Sequence, residues 1–388
     1  MRPLRILLVT ETYPPEINGV AMTTQRLVEG LRARGHWVGL VRPRQKNDQI
    51  DADTWTVSGL PIPKYPGLRL GLPSWWRLRR LMLEQRPDLV HVVTEGPLGW
   101  AAVYAARSRK LPVTSGYHTH FDLYSGHYGL NWLMPSVTRW LDALHRRCQA
   151  TFVPTAELAA TLTQRGIPNV RAVGRGVDTE LFNPTRRDPV LRRHWLKSNE
   201  PSIDDSTTND SLICLFVGRL APEKNLELVE RAFAAIAARN PNARMVWVGD
   251  GPALARLRAA HPTHIFAGPR IGTALAAHYA SADLFLFGSL SETWGNVLTE
   301  ALASGLSVVT YRRAAAEILI RNGDNGIAIE PGDADAFIAA ASSLANDTEA
   351  QRRLGNAASL SMQAHGWSAI IERFELGLRQ VSELKQGC

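Results

Sequence analysis

The chain has 388 residues and a formal net charge of +8 at pH 7, and 45% of its residues are hydrophobic. This length predicts two domains of fewer than about 200 residues each, with enough apolar content for two cores. The three cysteines, at positions 148, 214 and 388, are too few and too scattered for a disulfide framework, which excludes a disulfide-rich secreted scaffold and favours a reducing cytoplasm.

Short apolar runs typical of buried parallel strands alternate with helical patterns, which indicates doubly wound α/β sheets. The predicted strands of the first half are Arg5–Thr10, Trp37–Arg42, Leu89–Val93, Val113–Tyr117 and Thr151–Pro154. Those of the second half are Leu212–Val217, Arg244–Val248, Ile265–Ala267, Leu284–Phe287, Ser307–Thr310 and Gly326–Ile329. A helix is predicted over Met22–Arg34. No apolar run is long enough for a signal peptide or a membrane span.

The loop after the first predicted strand reads ETYPPEINGV over residues 11–20. Gly19 comes near its end, before the helix predicted from Met22. A glycine there lets a phosphate approach the backbone at a helix N-terminus, where negative charge is favoured. Gly19 is therefore a candidate phosphate-binding residue, and an ordinary turn glycine is the alternative.

Positive charge is concentrated in the first half of the chain. Residues 1–185 carry 23 Lys and Arg against 14 Asp and Glu, whereas residues 186–388 carry 21 against 22, so the net charges are +9 and −1. A one-sided positive field favours an anionic partner such as a phospholipid surface or a nucleic acid. No zinc finger, paired RNA-binding aromatic motif or base-reading basic helix accompanies it, so a nucleic-acid partner is not expected.

The stretch 64–86 is the candidate membrane contact. It contains the pair Trp75 and Trp76, followed by apolar residues with arginines between them. This pattern predicts a basic amphipathic helix with the composition of an interfacial element. The alternative is a helix that packs on the core and leaves a solvated basic face. The protein is therefore expected in the cytoplasm, either free or peripherally bound at the inner membrane face.

Three side chains of metal-ligand type follow the strand predicted at 113–117. His118, His120 and Asp122 alternate as in the motif that opens the metal site of metallo-β-lactamase-like hydrolases. That motif continues with a further histidine, where this chain has Leu123. A metal-dependent hydrolase and a merely structural cluster are thus alternatives to a substrate-binding role.

Two features mark the boundary between the predicted domains. The run GRGVDTELFNP over residues 174–184 precedes a charged, helix-like segment. Residues 198–211 are polar and cannot bury enough apolar surface to become ordered, so they are expected to be flexible. The predicted division is an N-terminal domain over 1–185, a C-terminal domain over 186–365 and a terminal helix over 366–388.

A cationic loop, GRLAPEKN over residues 218–225, follows the strand predicted at Leu212–Val217. Ligands of open α/β sheets bind at the carboxyl ends of strands. Arg219 and Lys224 can there neutralise a departing diphosphate, although a pair of plain surface cations is the alternative. Lys224→Ala is expected to abolish activity and leave the fold intact, because an exposed cation seldom carries stability.

Two carboxylates, Glu292 and Glu300, stand eight positions apart in the run SETWGNVLTEA over residues 291–301. On one continuous helix their side chains would lie roughly 80° apart, so a shared face is poor. A helix opened at Gly295 and Asn296 instead leaves Glu292 on the entry loop and Glu300 inside the helix. The free N–H groups of the helix start then form an anion site, and an acidic pair on a solvated helix is the alternative.

Other nucleotide-binding patterns fail on spacing. Thr179 and Leu254 stand where the dinucleotide-binding fingerprint after Gly174 or Gly249 would need glycine, and the chain contains no Gly-Lys-Ser/Thr triplet. An oxidoreductase and a P-loop nucleotidase are therefore disfavoured.

The runs at 11–20, 174–184, 218–225 and 291–301 resemble those of the retaining GT-B glycosyltransferases of the group 1 (family four) class, and the resemblance covers nearly the whole chain. The run GYHTH over residues 116–120 is similar to that of GDP-mannose-dependent mannosyltransferases and glycolipid synthases. The resemblance implies two Rossmann-like doubly wound parallel-sheet domains that face a central cleft. The first would bind the acceptor and the second the nucleotide sugar, with the last helix crossing back to the first.

The resemblance also implies roles for individual residues. The implied catalytic residues are His118, Arg219, Lys224 and Glu292. The implied nucleotide-sugar-binding residues are Gly19, Gly218, Arg219, Lys224, Gly268, Glu292, Gly295, Asn296, Val297 and Glu300. The implied acceptor-side residues are Tyr13, His120 and Asp122. Glu300 would bind the ribose diol, and the cations and helix amides would bind the diphosphate. Glu292 and His118 would bind the sugar hydroxyls.

The implied reaction is transfer of a hexose, with mannose favoured and glucose or galactose as alternatives, to a hydroxyl of a lipid or glycan with retained configuration. The donor would be a GDP- or UDP-linked sugar. No cofactor or metal is expected, because the protein's own cations replace a metal held by an Asp-x-Asp motif. The expected partners are the donor, the acceptor and an anionic membrane surface, and the oligomeric state stays open. A non-catalytic nucleotide-sugar or glycan binding protein is a further alternative.

Overall fold

The structure is a computed structural model of the chain. It describes residues 2–16, 18–45, 48, 51–62, 65–117, 134–196 and 211–383. The candidate residues His118, His120 and Asp122 lie outside the described residues, as does all of the polar segment 198–211 except Ser211.

The described residues contain strands and helices that alternate along most of the chain. The strands are β1 (Arg5–Val9), β2 (Trp37–Pro43), β3 (Thr54–Val57), β4 (Gly59–Ile62), β5 (Tyr65–Gly71), β6 (Leu89–Val92), β7 (Val113–Gly116), β8 (Ala150–Val153), β9 (Val170–Ala172), β10 (Ile213–Val217), β11 (Arg244–Val248), β12 (Ile265–Gly268), β13 (Leu284–Phe287), β14 (Ser307–Tyr311) and β15 (Ile327–Ile329). The helices are α1 (Gly19–Ala33), α2 (Trp75–Gln85), α3 (Pro97–Ser108), α4 (Met134–His145), α5 (Ala156–Gln164), α6 (Pro189–Leu196), α7 (Leu226–Arg239), α8 (Leu254–Ala260), α9 (Gly272–Ala280), α10 (Asn296–Ala303), α11 (Ala315–Leu319), α12 (Ala334–Ala345), α13 (Thr348–Met362) and α14 (Trp367–Glu383). Short 3-10 helices cover Pro184–Arg186, Pro222–Lys224 and Gln363–His365.

The residues that the structure describes form two compact units, each with its own parallel sheet. The first unit takes those up to Arg175 and those from Trp367 onward, and the second takes those from Gly176 to Gly366. The prediction of two parallel-sheet α/β domains is confirmed. Parallel neighbours need a crossover connection, and described helices supply it for every consecutive pair except β2 and β3.

In the first unit, the described strands of the main sheet are ordered β3-β2-β1-β6-β7-β8-β9. β1 is buried on both faces, which explains its uninterrupted apolar sequence. Leu7 and Val9 pack with α2, α3 and α4 on one face, whereas Ile6 and Leu8 pack with α1 and α14 on the other. β4 and β5 form a separate antiparallel hairpin.

Helix α1 begins at Gly19, three residues before the predicted start at Met22. The Asn18 side chain accepts hydrogen bonds from the N–H groups of Val20 and Ala21, and such a cap fixes the first turn. Gly19 is therefore the first residue of the helix and not part of the preceding loop, which corrects the predicted boundary. The predicted end is confirmed, since Gly35 follows with a left-handed φ of +85°.

In the second unit, the described strands are ordered β12-β11-β10-β13-β14-β15. β10 and β13 are buried throughout, and their registers place Cys214 beside Leu284 and Leu215 beside Phe285. Chain order proceeds from β10 to β12 on one side of this pair and from β13 to β15 on the other. The pair is therefore the topological switch point of the sheet.

Every strand predicted from an apolar run is confirmed to within one residue at each end. β3, β4, β5 and β9 were not predicted. Of these, β3 is mostly half-buried and β9 has only three residues at the edge of its sheet, so neither carries the apolar signal of a strand covered on both faces.

Candidate functional site

The candidate site lies at the carboxyl ends of β10 and β13 in the second unit. A reversal of strand order opens a crevice at this edge of a parallel sheet, and ligands bind there. The loop after β10 carries Gly218, Arg219 and Lys224, and the connection after β13 carries Glu292. The sheet thus brings the two predicted motifs to neighbouring positions.

The loop after β11 packs directly on the loop after β10. A Cβ atom on Gly249 would lie 2.0 Å from the carbonyl oxygen of Gly218, and one on Gly251 would lie 2.4 Å from that of Leu220. Both glycines also have left-handed φ values, +137° and +158°. This close approach explains a Gly-x-Gly run that does not fit the dinucleotide-binding spacing.

The loop after β10 is shaped by its backbone. The 3-10 helix at Pro222–Lys224 is closed by hydrogen bonds of 3.0 Å from Lys224 N to Ala221 O and from Asn225 N to Pro222 O. Asn225 then takes a left-handed conformation with φ of +53°, and α7 begins after it. The chain turns sharply here, which confines Lys224 to the carboxyl edge of the sheet.

Two hydrogen bonds fasten the loops after β10 and β13 to each other. Ser291 Oγ donates to the carbonyl oxygen of Glu223 at 3.0 Å, and Asn225 Nδ2 donates to that of Gly288 at 3.0 Å. Both bonds join side chain to backbone, so they fix the separation of the loops independently of any charge. The two loops therefore form one connected surface.

Lys224 and Glu292 make a direct ion pair, with Lys224 Nζ against Glu292 Oε1. Ser289 Oγ donates a second hydrogen bond of 3.0 Å to the same oxygen. The side chains of Lys224 and Glu292 are only 13% and 18% exposed. The expectation that Lys224 is an exposed cation is therefore wrong. Its side chain is largely buried between the two loops, where it pairs with the Glu292 carboxylate.

Arg219 lies beside a carboxylate that sequence reasoning left without a role. Its Nη1 atom is 3.7 Å from Oε1 of Glu223, whose side chain is fully buried. Cations and carboxylates consequently alternate over the two loops, with Arg219 next to Glu223 and Lys224 next to Glu292. The position of Glu223 inside the predicted motif was visible in the sequence, but its burial was not.

Helix α10 starts directly at this surface. Gly295 adopts a left-handed φ of +89° and caps the helix, and Asn296 and Val297 are its first two residues. The first turn has no acidic side chain. A helix start of this kind presents donor groups and partial positive charge, which suit a phosphate.

Glu300 sits in the second turn of α10 and has a partner that was not predicted. The hydroxyl of Tyr279, a buried residue of α9, donates to Oε2 of Glu300 at 3.0 Å. Burial raises the pKa of Glu300 to about 7, although the hydrogen bond from Tyr279 acts in the opposite direction. Burial and the Glu300 charge raise the pKa of Tyr279 well above its usual value, so its hydroxyl stays a donor.

Comparison with known proteins identifies the family. The model of Glycosyltransferase Family 4 matches residues 17–181, and that of Glycosyl transferases group 1 matches residues 211–347. The chain is 32% identical to a GDP-mannose-dependent alpha-mannosyltransferase of Mycobacterium tuberculosis, over 95% of this chain and 94% of that protein. The chain belongs to the group 1 (family four) glycosyltransferases.

A second relative and a solved structure extend this result. The glycosyltransferase is 26% identical to an alpha-monoglucosyldiacylglycerol synthase of Acholeplasma laidlawii, over 84% of each chain. Its structure is similar to that of a sucrose-phosphate synthase from Thermosynechococcus elongatus, with a TM-score of 0.75 and 18% identity over 97% of this chain and 99% of that chain. The structural likeness shows the GT-B fold, and the predicted fold class is confirmed.

The remaining candidate residues of the glycosyltransferase fall in three places. Gly268 ends β12 at the same sheet edge, and its carbonyl oxygen accepts a hydrogen bond of 3.0 Å from Gly249 N. Gly19 and the half-buried Tyr13 belong to the first unit. His118, His120 and Asp122 fall inside the Family 4 match, which disfavours the metal-dependent hydrolase as their context.

The basic segment of the first unit is part hairpin and part helix. Residues 65–71 form β5, so the helix predicted within 64–86 is confined to α2. Leu78, Leu81 and Met82 of α2 are buried against the core. Trp75 and Trp76 are 38% and 67% exposed, with ring centroids 3.9 Å apart. Within the described part of the chain, no helix is long and apolar enough to cross a membrane.

Proposed function

We propose that this glycosyltransferase moves a hexose, with mannose favoured, from a GDP- or UDP-linked donor to a hydroxyl of a lipid or glycan, with retention and without a metal. The observation that carries the proposal is the Lys224–Glu292 pair at the switch point, next to the start of α10. The names of the two relatives support GDP-mannose as donor and a lipid as acceptor.

The diphosphate of the donor is bound by positive groups of the second unit. Arg219, Lys224 and the N–H groups at Gly295 and Asn296 supply cations and backbone donors at one sheet edge. When the diphosphate enters, it replaces Glu292 as the partner of Lys224. Glu292 is then released to accept hydrogen bonds from sugar hydroxyls, while Ser289 keeps it oriented. Donor binding and sugar recognition are therefore coupled through one ion pair.

Glu300 binds the ribose of the donor. A carboxylate accepts hydrogen bonds through both oxygens, and the one that Tyr279 does not hold stays available for a diol. Gly218 and Gly268 leave room for the nucleotide at the same edge, since neither has a side chain. As the sequence resemblance implies, Gly19 is assigned to binding of the nucleotide sugar and His118 to the sugar hydroxyls. Tyr13, His120 and Asp122 are assigned to the acceptor side.

The chemical step follows from these roles. The bond between the anomeric carbon and the diphosphate oxygen breaks with oxocarbenium character, and the leaving charge is stabilised by Arg219 and Lys224. The acceptor oxygen attacks the same face of the sugar, and its proton passes to the departing phosphate oxygen. A double displacement would need a carboxylate pair about 5 Å apart at the anomeric carbon. Glu292 is instead assigned to the sugar hydroxyls and Glu300 to the ribose, which favours the direct route.

The proposal is tested with purified protein and a panel of GDP-mannose, UDP-glucose and UDP-galactose, each with diacylglycerol or a glycan as acceptor. We expect transfer with an α-linked product by proton NMR, unchanged by EDTA. Binding of GDP or UDP measured by calorimetry is expected even without an acceptor. The absence of binding of every nucleoside diphosphate would contradict the proposal, and binding without turnover would favour a non-catalytic sugar-nucleotide binding protein.

A peripheral membrane position is part of the same proposal. The exposed Trp75 and Trp76 stand beside the exposed cations Arg77 and Arg80 on α2, a composition that favours an anionic lipid interface. In flotation assays the wild type is expected to bind vesicles that contain phosphatidylglycerol.

The membrane test has a matched control. The Trp75→Ser/Trp76→Ser variant is expected to lose most vesicle binding. The Ile318→Ser/Leu360→Ser variant, which removes two exposed apolar side chains of the second unit, should bind as wild type does. Equal flotation of the two variants would contradict a role for α2.

A further inference from the structure

Glu223 is a buried carboxylate with an unusual environment. It lies in the 3-10 helix Pro222–Lys224, and its side chain is 0% exposed. Neither of its carboxylate oxygens has a hydrogen-bond partner among the residues that the structure describes. Among the described residues, the Arg219 guanidinium makes an ion pair with it, at 3.7 Å from Nη1 to Oε1. This separation is an ion pair without a hydrogen bond.

A carboxylate in this setting weakens the fold. Burial removes the water that would solvate the charge, and an ion pair compensates fully only when hydrogen bonds satisfy the remaining lone pairs. Native proteins leave few buried polar groups unsatisfied, and those that exist call for an explanation. The local fold does not provide one. Ser291 donates its hydrogen bond to the backbone carbonyl of Glu223, and backbone hydrogen bonds close the turn. Neither contact involves the Glu223 carboxylate, so glutamine at this position would preserve both.

We infer that Glu223 is a positioning residue for Arg219 in donor binding. Its charge attracts the planar guanidinium and thereby holds Arg219 at the sheet edge where the diphosphate is proposed to bind. The attraction is stronger in this water-excluded place than at a surface. The inference rests on the proposed binding of a nucleoside diphosphate at this edge of the sheet.

The effect of Glu223 on the donor is therefore indirect. An arginine that is already oriented loses less conformational freedom when the phosphate arrives, so binding becomes tighter without a new contact to the ligand. The negative charge itself would repel a phosphate. A carboxylate that improves anion binding can do so only through a cation, and here that cation is Arg219.

A double-mutant cycle tests this dependence, with GDP and UDP as probes and calorimetry as the measurement. Glu223→Gln is expected to weaken binding of the better nucleotide about tenfold, which is about 1.4 kcal/mol. Arg219→Ala should weaken it more. The double variant should bind no more weakly than Arg219→Ala alone, because Glu223 acts through the missing guanidinium. Glu223→Asp, which keeps the charge, should recover part of the loss.

Stability and a neighbouring charge serve as controls. Glu223→Gln is expected to melt at the same temperature as wild type or higher, because it removes a buried charge. Glu227→Gln removes the negative charge of an exposed side chain in the first turn of α7 and should leave binding unchanged.

Three results would overturn the inference. The first is an effect of Glu223→Gln that persists in the Arg219→Ala background. The second is equal binding by wild type and Glu223→Gln. The third is a Glu223→Gln protein that fails to fold, because the carboxylate would then be a structural requirement. A wild type that binds neither GDP nor UDP would instead contradict the proposed donor, and the two failures are thus distinguishable.

Discussion

Tyr279 donates a hydrogen bond of 3.0 Å from its hydroxyl to Oε2 of Glu300, and the two residues come from consecutive helices, α9 and α10. The tyrosine is fully buried, so the bond cannot be exchanged for one to solvent. It fixes one oxygen of the carboxylate and leaves the other for a ligand. The ribose-binding role proposed for Glu300 thus depends on a residue outside both sequence motifs.

Glu300→Gln is expected to stabilise the unliganded protein at alkaline pH and to weaken nucleotide binding. Burial raises the pKa of Glu300 to about 7 from an ordinary value of 4.5, so the folded state binds this proton more tightly than the unfolded state. The stability contributed by the protonated group is therefore lost as pH rises from about 4.5 to about 7. Glutamine carries no such charge. The melting temperature of the variant relative to wild type should be higher at pH 8 than at pH 5.

Calorimetry on wild type and Glu300→Gln measures the predicted change in nucleotide binding. Binding of GDP by wild type should strengthen between pH 6 and pH 8 as Glu300 ionises and becomes a full acceptor. Glu300→Gln should bind weakly at every pH in that range. If GDP binding by Glu300→Gln still depends on pH, a group other than Glu300 causes the pH dependence.

Tyr279→Phe is expected to weaken GDP binding about three- to tenfold, which corresponds to the roughly 1 kcal/mol of one hydrogen bond. The hydroxyl lowers the pKa of Glu300 against the effect of burial, so its loss should move the pH dependence of binding to higher pH. Tyr311→Phe changes another buried tyrosine of the second unit and should leave both quantities unaltered. Equal GDP binding and equal pH dependence in the two variants would contradict a role for Tyr279 in the site.

Lys224→Ala is expected to abolish transfer and also to reduce stability, by about 1–3 kcal/mol. The largely buried Glu292 carboxylate loses its cation, and among the described side chains Ser289 remains as its hydrogen-bond donor. Adding Glu292→Gln should restore the melting temperature, because it removes the unpaired Glu292 charge. It should not restore activity, because the Lys224 cation that binds the phosphate is still missing. Urea denaturation and a transfer assay on the three proteins measure both effects. Wild-type turnover in Lys224→Ala would refute the diphosphate role.

The strands that form the site were predictable, whereas its contacts were not. β10 and β13 are buried on both faces, so each appears in the sequence as an apolar run, and their carboxyl ends place the following loops at one edge. The pair Lys224–Glu292 joins positions 68 apart, and Tyr279–Glu300 joins positions 21 apart. Such pairs are set by strand order and helix packing, which leave no periodic signal in the chain.

Glu223 illustrates the same limit at short range. It stands inside a motif that the sequence marks clearly, next to Lys224, and its charge suggests an exposed side chain. The 3-10 helix at Pro222–Lys224 turns it inward instead. The direction in which a side chain points in an irregular loop depends on the backbone dihedral angles, which here include the left-handed conformation of Asn225. The spacing of residues in the sequence does not predict these angles.

Glu375 is expected to make the first unit sensitive to acid. This carboxylate of α14 contacts Arg34 Nε at 2.5 Å, Arg379 Nε at 2.7 Å and His36 Nε2 at 3.1 Å, and so connects the last helix to the end of α1. Burial would raise the pKa of Glu375, but hydrogen bonds from Arg34 and Arg379 and the nearby His36 outweigh it and lower the pKa to about 2.

The sign of the pH effect follows from that lowered pKa. Glu375 stabilises the fold fully above its unfolded pKa of 4.5, and the contribution is lost as pH falls toward about 2. Glu375→Gln should therefore cost about 2–4 kcal/mol near pH 7, because charged partners lose their counter-ion, and much less near pH 3. Urea denaturation of both proteins at the two pH values gives the difference. Glu84→Gln, which breaks the exposed Arg80–Glu84 pair of α2, should have no measurable effect at either pH. A Glu375→Gln penalty that is equal at pH 7 and pH 3 would show that packing, and not charge, holds α14 in place.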